Sequence, residues 1–269
     1  MRTLSSLTLL LLASASQAHY HMLIPDKPSA KKGEEVTVTF QFGHPFECEL
    51  SNMLAPHQVV LYSLGLGGTD VTKKLEKVSL KGVKGKVDGY RLKFTPDKRG
   101  DYVIEMISAP TILPGEKETI QDTVKVVVHV QAQKGWDTRS SNDFECMPMT
   151  RPYGLLPNAV FQAQYTGGGK PDKKGPAFFP PHDNLLVEVE RYNPMPPKVL
   201  PADEFITRTM KTDQNGVVTT SLPEAGWWCL TATRRITEKA EVGGKEVEVK
   251  RRSTLWVYVN KSAPVKPAE

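Results

Sequence analysis

The chain has 269 residues, of which 39% are hydrophobic and 24% charged, and its formal net charge is +5. Lysines and acids are interspersed and no aromatic–basic platform occurs, so the charge indicates a solvated surface rather than nucleic-acid binding. Beyond the first 18 residues no apolar run is long enough to cross a bilayer, and no transmembrane segment is expected in the mature chain.

The first 18 residues have the pattern of a secretory signal peptide. Arg2 supplies a positive start, an apolar run extends from Leu4 to Ala13, and Ser16 and Ala18 place small residues where a signal peptidase reads. We therefore expect cleavage after Ala18 and a periplasmic or secreted protein. The mature chain would then begin with His19.

An N-terminal histidine has ligand chemistry that an internal histidine lacks, because it offers a metal ion both a ring nitrogen and a free amine. His21 would be third in the mature chain. The amine, two backbone amides and the His21 imidazole could then form the square-planar nitrogen set that Cu(II) and Ni(II) prefer. The alternative is a chain end that simply frays, as many termini do.

Alternation of apolar and polar residues predicts about seven short strands in the first half of the chain. Met22–Pro25 is only a short apolar lead-in to them. Short, regularly punctuated strands over about a hundred residues are typical of an immunoglobulin-like sandwich, which we predict for residues 19–131. The clearest strands are Val36–Phe42, Gln58–Tyr62, Leu75–Leu80, Tyr90–Phe94, Tyr102–Met106 and Val124–Val130.

The second half predicts another β-sandwich, over residues 155–260, after a proline-containing connector without periodicity at residues 132–154. Asn215-Gly216 predicts a tight hairpin turn between strands Ile206–Lys211 and Val217–Leu222. Residues 261–269 form a proline-rich tail that we expect to be disordered. No convincing amphipathic helix occurs, so the predicted class is all-β, with two immunoglobulin-like or prealbumin-like β-sandwich domains.

The chain contains three cysteines. An odd number in an exported protein suggests one disulfide and one spare thiol. Cys48 and Cys146 flank polar, loop-rich motifs, whereas Cys229 follows two tryptophans in a strand-like apolar run. We therefore predict a Cys48–Cys146 disulfide and a buried free thiol at Cys229.

Two further histidines and one carboxylate are candidate ligands. His44 follows the end of a predicted strand, and Glu47 lies three residues later, so the two side chains could share a metal ion or form a purely structural pair. His129 lies on the polar face of its strand, where an exposed or half-buried structural histidine is the alternative to a ligand. No catalytic triad, phosphate loop or carboxylate pair stands out, and no enzyme is predicted.

Five motifs occur in one order along the chain: Ala18–Pro25, Gly43–Glu47, Pro148–Leu155, Thr212–Gly216 and Gly226–Trp228. This ordered set resembles the exported proteins described as periplasmic components of ABC-type nickel/cobalt uptake systems, whose domain is otherwise of unknown function. The resemblance implies metal binding at His19 and a role for His44 and Glu47.

The sequence therefore predicts a non-enzymatic periplasmic protein that binds Ni(II) or Co(II) and exchanges the ion with a membrane metal transporter. Two other hypotheses stay open. One is a copper protein with a histidine brace, either a carrier or an oxygenase that attacks polysaccharides, because nitrogen sites favour Cu(II) over Ni(II). The other is a structural or adhesive sandwich without metal. The candidate metal ligands are His19, His21, His44, Glu47 and His129.

Overall fold

A computed structural model describes residues 19–64, 67–82, 85–112, 118–140, 144–167, 180–242 and 244–263. The predicted signal peptide, most of the Gly167–Pro181 loop and the end of the predicted tail lie outside these ranges. Strands account for 59% of the structure and helices for 3%, which confirms the predicted all-β sandwich class. No helix in the described ranges is long and apolar enough to cross a membrane.

The described residues form eighteen strands, one short helix and one 3₁₀ turn at Thr72–Lys74. The strands are β1 Tyr20–Pro25, β2 Ser29–Ala30, β3 Val36–His44, β4 Glu49–Ser51, β5 Gln58–Ser63, β6 Gly67–Asp70, β7 Glu76–Gly82, β8 Gly85–Phe94, β9 Tyr102–Ile107, β10 Thr111–Ile112, β11 Thr119–Val130, β12 Phe144–Pro148, β13 Ala159–Gly167, β14 Leu186–Arg191, β15 Arg208–Lys211, β16 Val217–Leu222, β17 Gly226–Val242 and β18 Lys245–Val259, and the helix α1 is Asp203–Ile206.

These strands build three sheets. A five-stranded sheet has the order β1-β3-β8-β7, with β4 beside β3. A ten-stranded sheet runs β15-β14-β17-β18-β11-β9-β5-β6, with β2 and β10 beside β11. The third sheet contains β12, β13 and β16.

The ten-stranded sheet joins the two halves of the chain. Its central pair, β11 and β18, is parallel, whereas its other long pairs are antiparallel. The five-stranded and three-stranded sheets cover opposite faces of it, as alternate residues of β17 show. Trp227 and Cys229 lie in the first hydrophobic core, while Trp228 and Leu230 lie in the second. The two sandwiches therefore share one continuous sheet.

The segment predicted as a connector packs against the sheet. Within it β12 pairs with β13, and Glu145 on β12 bonds to Lys125 on β11. Tyr153 donates a hydrogen bond to Asp101 over 2.8 Å and stacks on the His129 ring. These contacts cover the face of β11 that points away from the first core.

The turn at residues 213–216 was predicted as a hairpin, and that prediction is wrong. The chain does reverse there: Asp213 accepts hydrogen bonds from the Asn215 and Val217 amides, and Gly216 has φ 70. The flanking strands nevertheless belong to different sheets, because β15 pairs with β14 and β16 pairs with β13. The turn is thus a crossover between layers, which the local sequence does not distinguish from a hairpin.

The predicted Cys48–Cys146 disulfide is also wrong, because all three cysteines are free and buried. Cys48 lies between β3 and β4, in the layer of the five-stranded sheet. Cys146 lies on β12 opposite Tyr165, in the core of the other sandwich. The ten-stranded sheet separates the two thiols, so their loop-rich sequence surroundings do not bring them together.

We expect the native protein to expose no reactive thiol and the denatured protein to titrate three. Burial raises the pKa of the Cys48 and Cys229 thiols, and it raises that of Cys146 to about 12. Little thiolate is therefore present at neutral pH to attack a disulfide reagent. Titration with such a reagent, with and without concentrated guanidinium, measures this. A single thiol in denaturant would mean that a bridge does form.

Candidate metal centre

The first residue after the predicted cleavage point is held inside the fold. His19 is 6% exposed and His21 is 1% exposed, so this segment does not fray. Strand β1 pairs with β3 in an antiparallel register that sets Tyr20 opposite Gly43. The same register brings the His19 and His44 rings together, with their centroids 4.1 Å apart and nearly edge to face.

His21 has a different environment. Its Nδ1 lies 2.6 Å from Oδ2 of the buried Asp122, and its ring packs on Phe42. Because Tyr20 and His21 belong to a paired, extended strand, their backbone amides cannot wrap around one ion. The expected square-planar set of amine, two amides and the His21 ring is therefore incompatible with this fold.

Glu47 lies near His19 in the loop between β3 and β4. Its Oε2 is buried and has no hydrogen-bond partner. Burial raises the pKa of Glu47, and the nearby Glu49 and Asp203 raise it further, whereas a hydrogen bond from its own backbone N–H and the charge of His19 lower it. An unpaired buried carboxylate oxygen is costly, so this atom is a candidate for a cation.

The loop that carries His44 and Glu47 is fixed by the second half of the chain. Asn193 donates its backbone N–H to the Pro45 carbonyl over 3.0 Å and its side-chain amide to the Phe46 carbonyl over 2.7 Å. Glu190 accepts the Phe46 N–H over 3.0 Å. The loop is thus held in one conformation by contacts that do not use its candidate ligands.

His129, a second-choice ligand, is not part of this site. Its Nδ1 lies 2.8 Å from Oδ1 of Asp101, and its ring stacks on Tyr153 with the centroids 4.3 Å apart. These contacts lie on the face of β11 that the connector covers. His129 therefore has hydrogen-bonding and stacking partners of its own.

The donors near His19 suit a borderline transition metal ion. No three His, Cys, Asp or Glu side chains within the described ranges form a group that could hold a metal ion. Two imidazoles lie together, however, and cleavage after Ala18 would add the His19 amine. The unpartnered oxygen of Glu47 could supply one more donor. Nitrogen donors of this kind suit Ni(II), Co(II), Cu(II) or Zn(II), whereas Ca²⁺ and Mg²⁺ prefer oxygen.

Sequence analysis missed the buried polar residues that hold β1. Arg252 pairs with Asp122 and donates to the His19 carbonyl, and Tyr20 donates to Glu188 over 2.8 Å. The sequence of β11 does contain a signal for one of these residues. Asp122 is in phase with Val124 and Val126, so it is a charged residue at a core-facing position, where charges are rarely buried unless paired.

Glu190 is another buried carboxylate at the edge of this site. It is 2% exposed, and its second oxygen accepts the Thr207 hydroxyl over 2.6 Å. Burial raises its pKa from 4.5 to about 7, although the bonds from Thr207 and Phe46 act in the opposite direction. The folded protein therefore keeps a proton that the unfolded chain releases between these two values.

Glu190→Gln is expected to stabilise the metal-free protein at neutral and higher pH. The folded pKa is raised, so the stability linked to this group is present at low pH and is lost as pH rises from about 4.5 to 7. The full shift corresponds to about 3 kcal/mol. Urea unfolding of both proteins with a chelator present, over this pH range, measures the effect. Parallel pH curves for wild type and variant would contradict it.

Comparisons with known proteins identify a family but no activity. A family profile described as a domain of unknown function (DUF4198) matches residues 16–236. No curated protein matches the sequence significantly.

Solved structures show only distant likeness. The full ectodomain of mouse nectin-like molecule 4 is 11% identical with a TM-score of 0.23, and the match covers 91% of this chain and 66% of that one. Salmonella alpha-2-macroglobulin reacted with methylamine is 12% identical with a TM-score of 0.21, covering 89% and 15%. Domains A168–A170 of titin are 12% identical with a TM-score of 0.22, covering 91% and 67%. The chain thus spans less than two thirds of the first two structures, and at these TM-scores none adds to the architecture described above.

Proposed function

The chain belongs to the DUF4198 family of domains of unknown function, and we propose that it is a periplasmic protein that binds one divalent transition-metal ion. The observation that carries the proposal is the contact between the His19 and His44 rings at the start of β1. We further propose Ni(II) or Co(II) as the cargo and a membrane metal transporter as the partner. This assignment follows the resemblance of the five ordered motifs to nickel/cobalt uptake components.

Cleavage after Ala18 is essential to the proposal. It would give a free amine to His19, the residue whose ring contacts the His44 ring. One residue then supplies two of the nitrogen donors, and His44 supplies a third. Glu47 completes the set or orients a ligand, since its buried Oε2 has no hydrogen-bond partner.

The surroundings of these donors support a carrier rather than an enzyme. In the uncleaved chain His19 and His44 are each 6% exposed, which fits a site with little open space beside the two rings. A catalytic metal site keeps a coordination position open for water or substrate, whereas a site that only holds an ion can close around it. Strand β1 and the loop between β3 and β4 are both held in place by hydrogen bonds. This limits the rearrangement that the protein needs in order to bind an ion.

A copper protein is the second candidate. The pairing of His21 with Asp122 leaves the amine, the His19 ring and the His44 ring as the nitrogen set, which is the composition of a histidine brace. At such a set Cu(II) binds more tightly than Ni(II) or Co(II). A copper carrier and a polysaccharide oxygenase would share this chemistry. Oxygen consumption by the copper-loaded protein with ascorbate separates the two.

The test starts with the exported protein. Mass spectrometry should show that the mature chain begins at His19. Calorimetric titration of the metal-free protein with Ni(II), Co(II) and Cu(II) should then give one site per chain. Saturation by Ni(II) or Co(II) at the free concentrations that supply the cell supports the nickel/cobalt assignment, and saturation by Cu(II) alone supports the copper candidate. Absence of binding by all three ions would refute both and leave a structural or adhesive protein.

A further inference from the structure

A buried arginine from the last strand holds the backbone of the first mature residue. Arg252 on β18 donates from Nη2 to the His19 carbonyl over 2.8 Å. The same guanidinium donates from Nε and Nη2 to the two oxygens of Asp122, both over 2.7 Å. Asp122 in turn lies 2.6 Å from Nδ1 of His21. One buried cluster thus connects β1, β11 and β18.

Both charged members of the cluster are out of contact with solvent. Arg252 is 6% exposed and Asp122 is 1% exposed. Burial alone would raise the pKa of Asp122, but the Arg252 guanidinium and His21 hold it well below its usual range. The pair therefore stays ionised. A buried ion pair is weak evidence for stability, because an apolar replacement is often as stable, and a specific positional role is the better-attested reason to retain one.

The geometry at His19 shows what this cluster can position. The His19 carbonyl is fixed by Arg252, and its ring is fixed between Phe42 and His44, with centroid separations of 5.4 and 4.1 Å. With two substituents of a tetrahedral Cα held, the third substituent has only one direction. That third substituent is the nitrogen that becomes the amine on cleavage.

We infer that Arg252, oriented by Asp122, is a positioning residue that aims the His19 amine for ion binding. The inference rests on the proposed metal site and gives the second half of the chain a role in it. Loss of a partner that orients a ligand typically lowers metal affinity about 10- to 100-fold. Arg252→Lys keeps the charge beside Asp122 but cannot reach both Asp122 oxygens and the His19 carbonyl, so a loss of this size is expected.

The test is a double-mutant cycle with Cu(II) as the probe. Four proteins are compared: the chain beginning at His19, the same chain with one extra N-terminal Ala, and Arg252→Lys in each background. Affinity is measured by calorimetry and the ligand environment by electron paramagnetic resonance. Arg251→Lys is the matched control, because its neighbouring guanidinium bonds to Glu238 and does not contact the N-terminus.

Positioning predicts strong non-additivity. Arg252→Lys should cost about tenfold or more in affinity and change the Cu(II) spectrum when the chain begins at His19. It should cost less than about twofold when the amine has already been displaced by Ala. Arg251→Lys should alter neither measurement. A purely structural role would lower the unfolding midpoint but give the same loss in both backgrounds, with an unchanged spectrum, and would overturn the inference.

The proposed function and this inference can fail separately. If the chain beginning at His19 binds none of Cu(II), Ni(II) and Co(II), both are wrong. If it binds and Arg252→Lys leaves affinity and spectrum unchanged, only the inference is wrong. Should Arg252→Lys fail to fold, the same cycle is run with Asp122→Asn, which keeps the arginine but weakens its anchor, and the same outcomes apply.

Discussion

A protein that carries one extra alanine before His19 is expected to bind Ni(II) and Cu(II) at least about 100-fold more weakly than one that begins at His19. Every side chain is retained in this protein, so the change tests the amine alone. The loss should exceed the roughly 10- to 100-fold cost of an outer-shell partner, because a direct ligand and its chelate ring disappear together. Calorimetric titration of the two proteins under identical conditions measures the difference.

Two substitutions and one control complete this experiment. His19→Ala should weaken binding by a similar amount, since it removes a ring ligand, and Glu47→Gln should do less if the carboxylate only orients a ligand. His57→Ala is the control, because His57 is an exposed loop residue outside the candidate ligand set, and the metal affinity of this variant should stay within about twofold of wild type. Equal affinities for the extended and unextended proteins would exclude the terminal-amine mechanism.

The strands that sequence analysis predicted are those in which larger apolar residues recur at every second position. Val36–Phe42 and Tyr102–Met106 have this pattern and lie within β3 and β9. The pattern reports sequence alternation and not exposure, because β9 is buried on both faces. By contrast, β1 and β12 are also buried on both faces but lack a clear alternation, and they were missed.

The candidate site could be predicted only in its local parts. The position of His44 at a predicted strand end and the signal-peptide pattern were enough to name His19 and His44 as candidate ligands. The residues that hold them were not predictable, because Arg252 lies 233 positions from His19 along the chain. Nor could the sequence show that His21 pairs with Asp122. This pairing removes His21 from the expected ligand set. Such partners depend on the sheet order, and β11 meets β18 only in the folded chain.

A second buried charge cluster lies on the opposite face of β11. Lys125 is 3% exposed and bonds to Glu145, and its Nζ lies 3.5 Å from Oε2 of Glu105. Burial lowers the pKa of Lys125 to about 8, although Glu105 opposes the shift. Two buried carboxylates thus share one cation. This cluster fixes the connector to the sheet, since Glu145 also accepts the Ser140 N–H over 2.8 Å.

Lys125→Met is therefore expected to destabilise the protein by about 3–5 kcal/mol near neutral pH. Methionine matches the lysine stem in shape but removes the ammonium group that Glu105 and Glu145 share, and breaking a buried pair in this way has a cost of that size. Urea unfolding of wild type and variant at neutral pH measures the effect.

The triple variant Lys125→Met, Glu105→Gln, Glu145→Gln separates charge from packing. Removing all three charges together should recover most of the lost stability, because neutral replacements of a buried ionic cluster are often as stable as the original. Lys77→Met is the matched control: its ammonium group is exposed and pairs with Asp88 at the surface, so no measurable change in the free energy of unfolding is expected. If the triple variant is as unstable as Lys125→Met alone, the cost arises from lost side-chain packing and not from unpaired buried carboxylates.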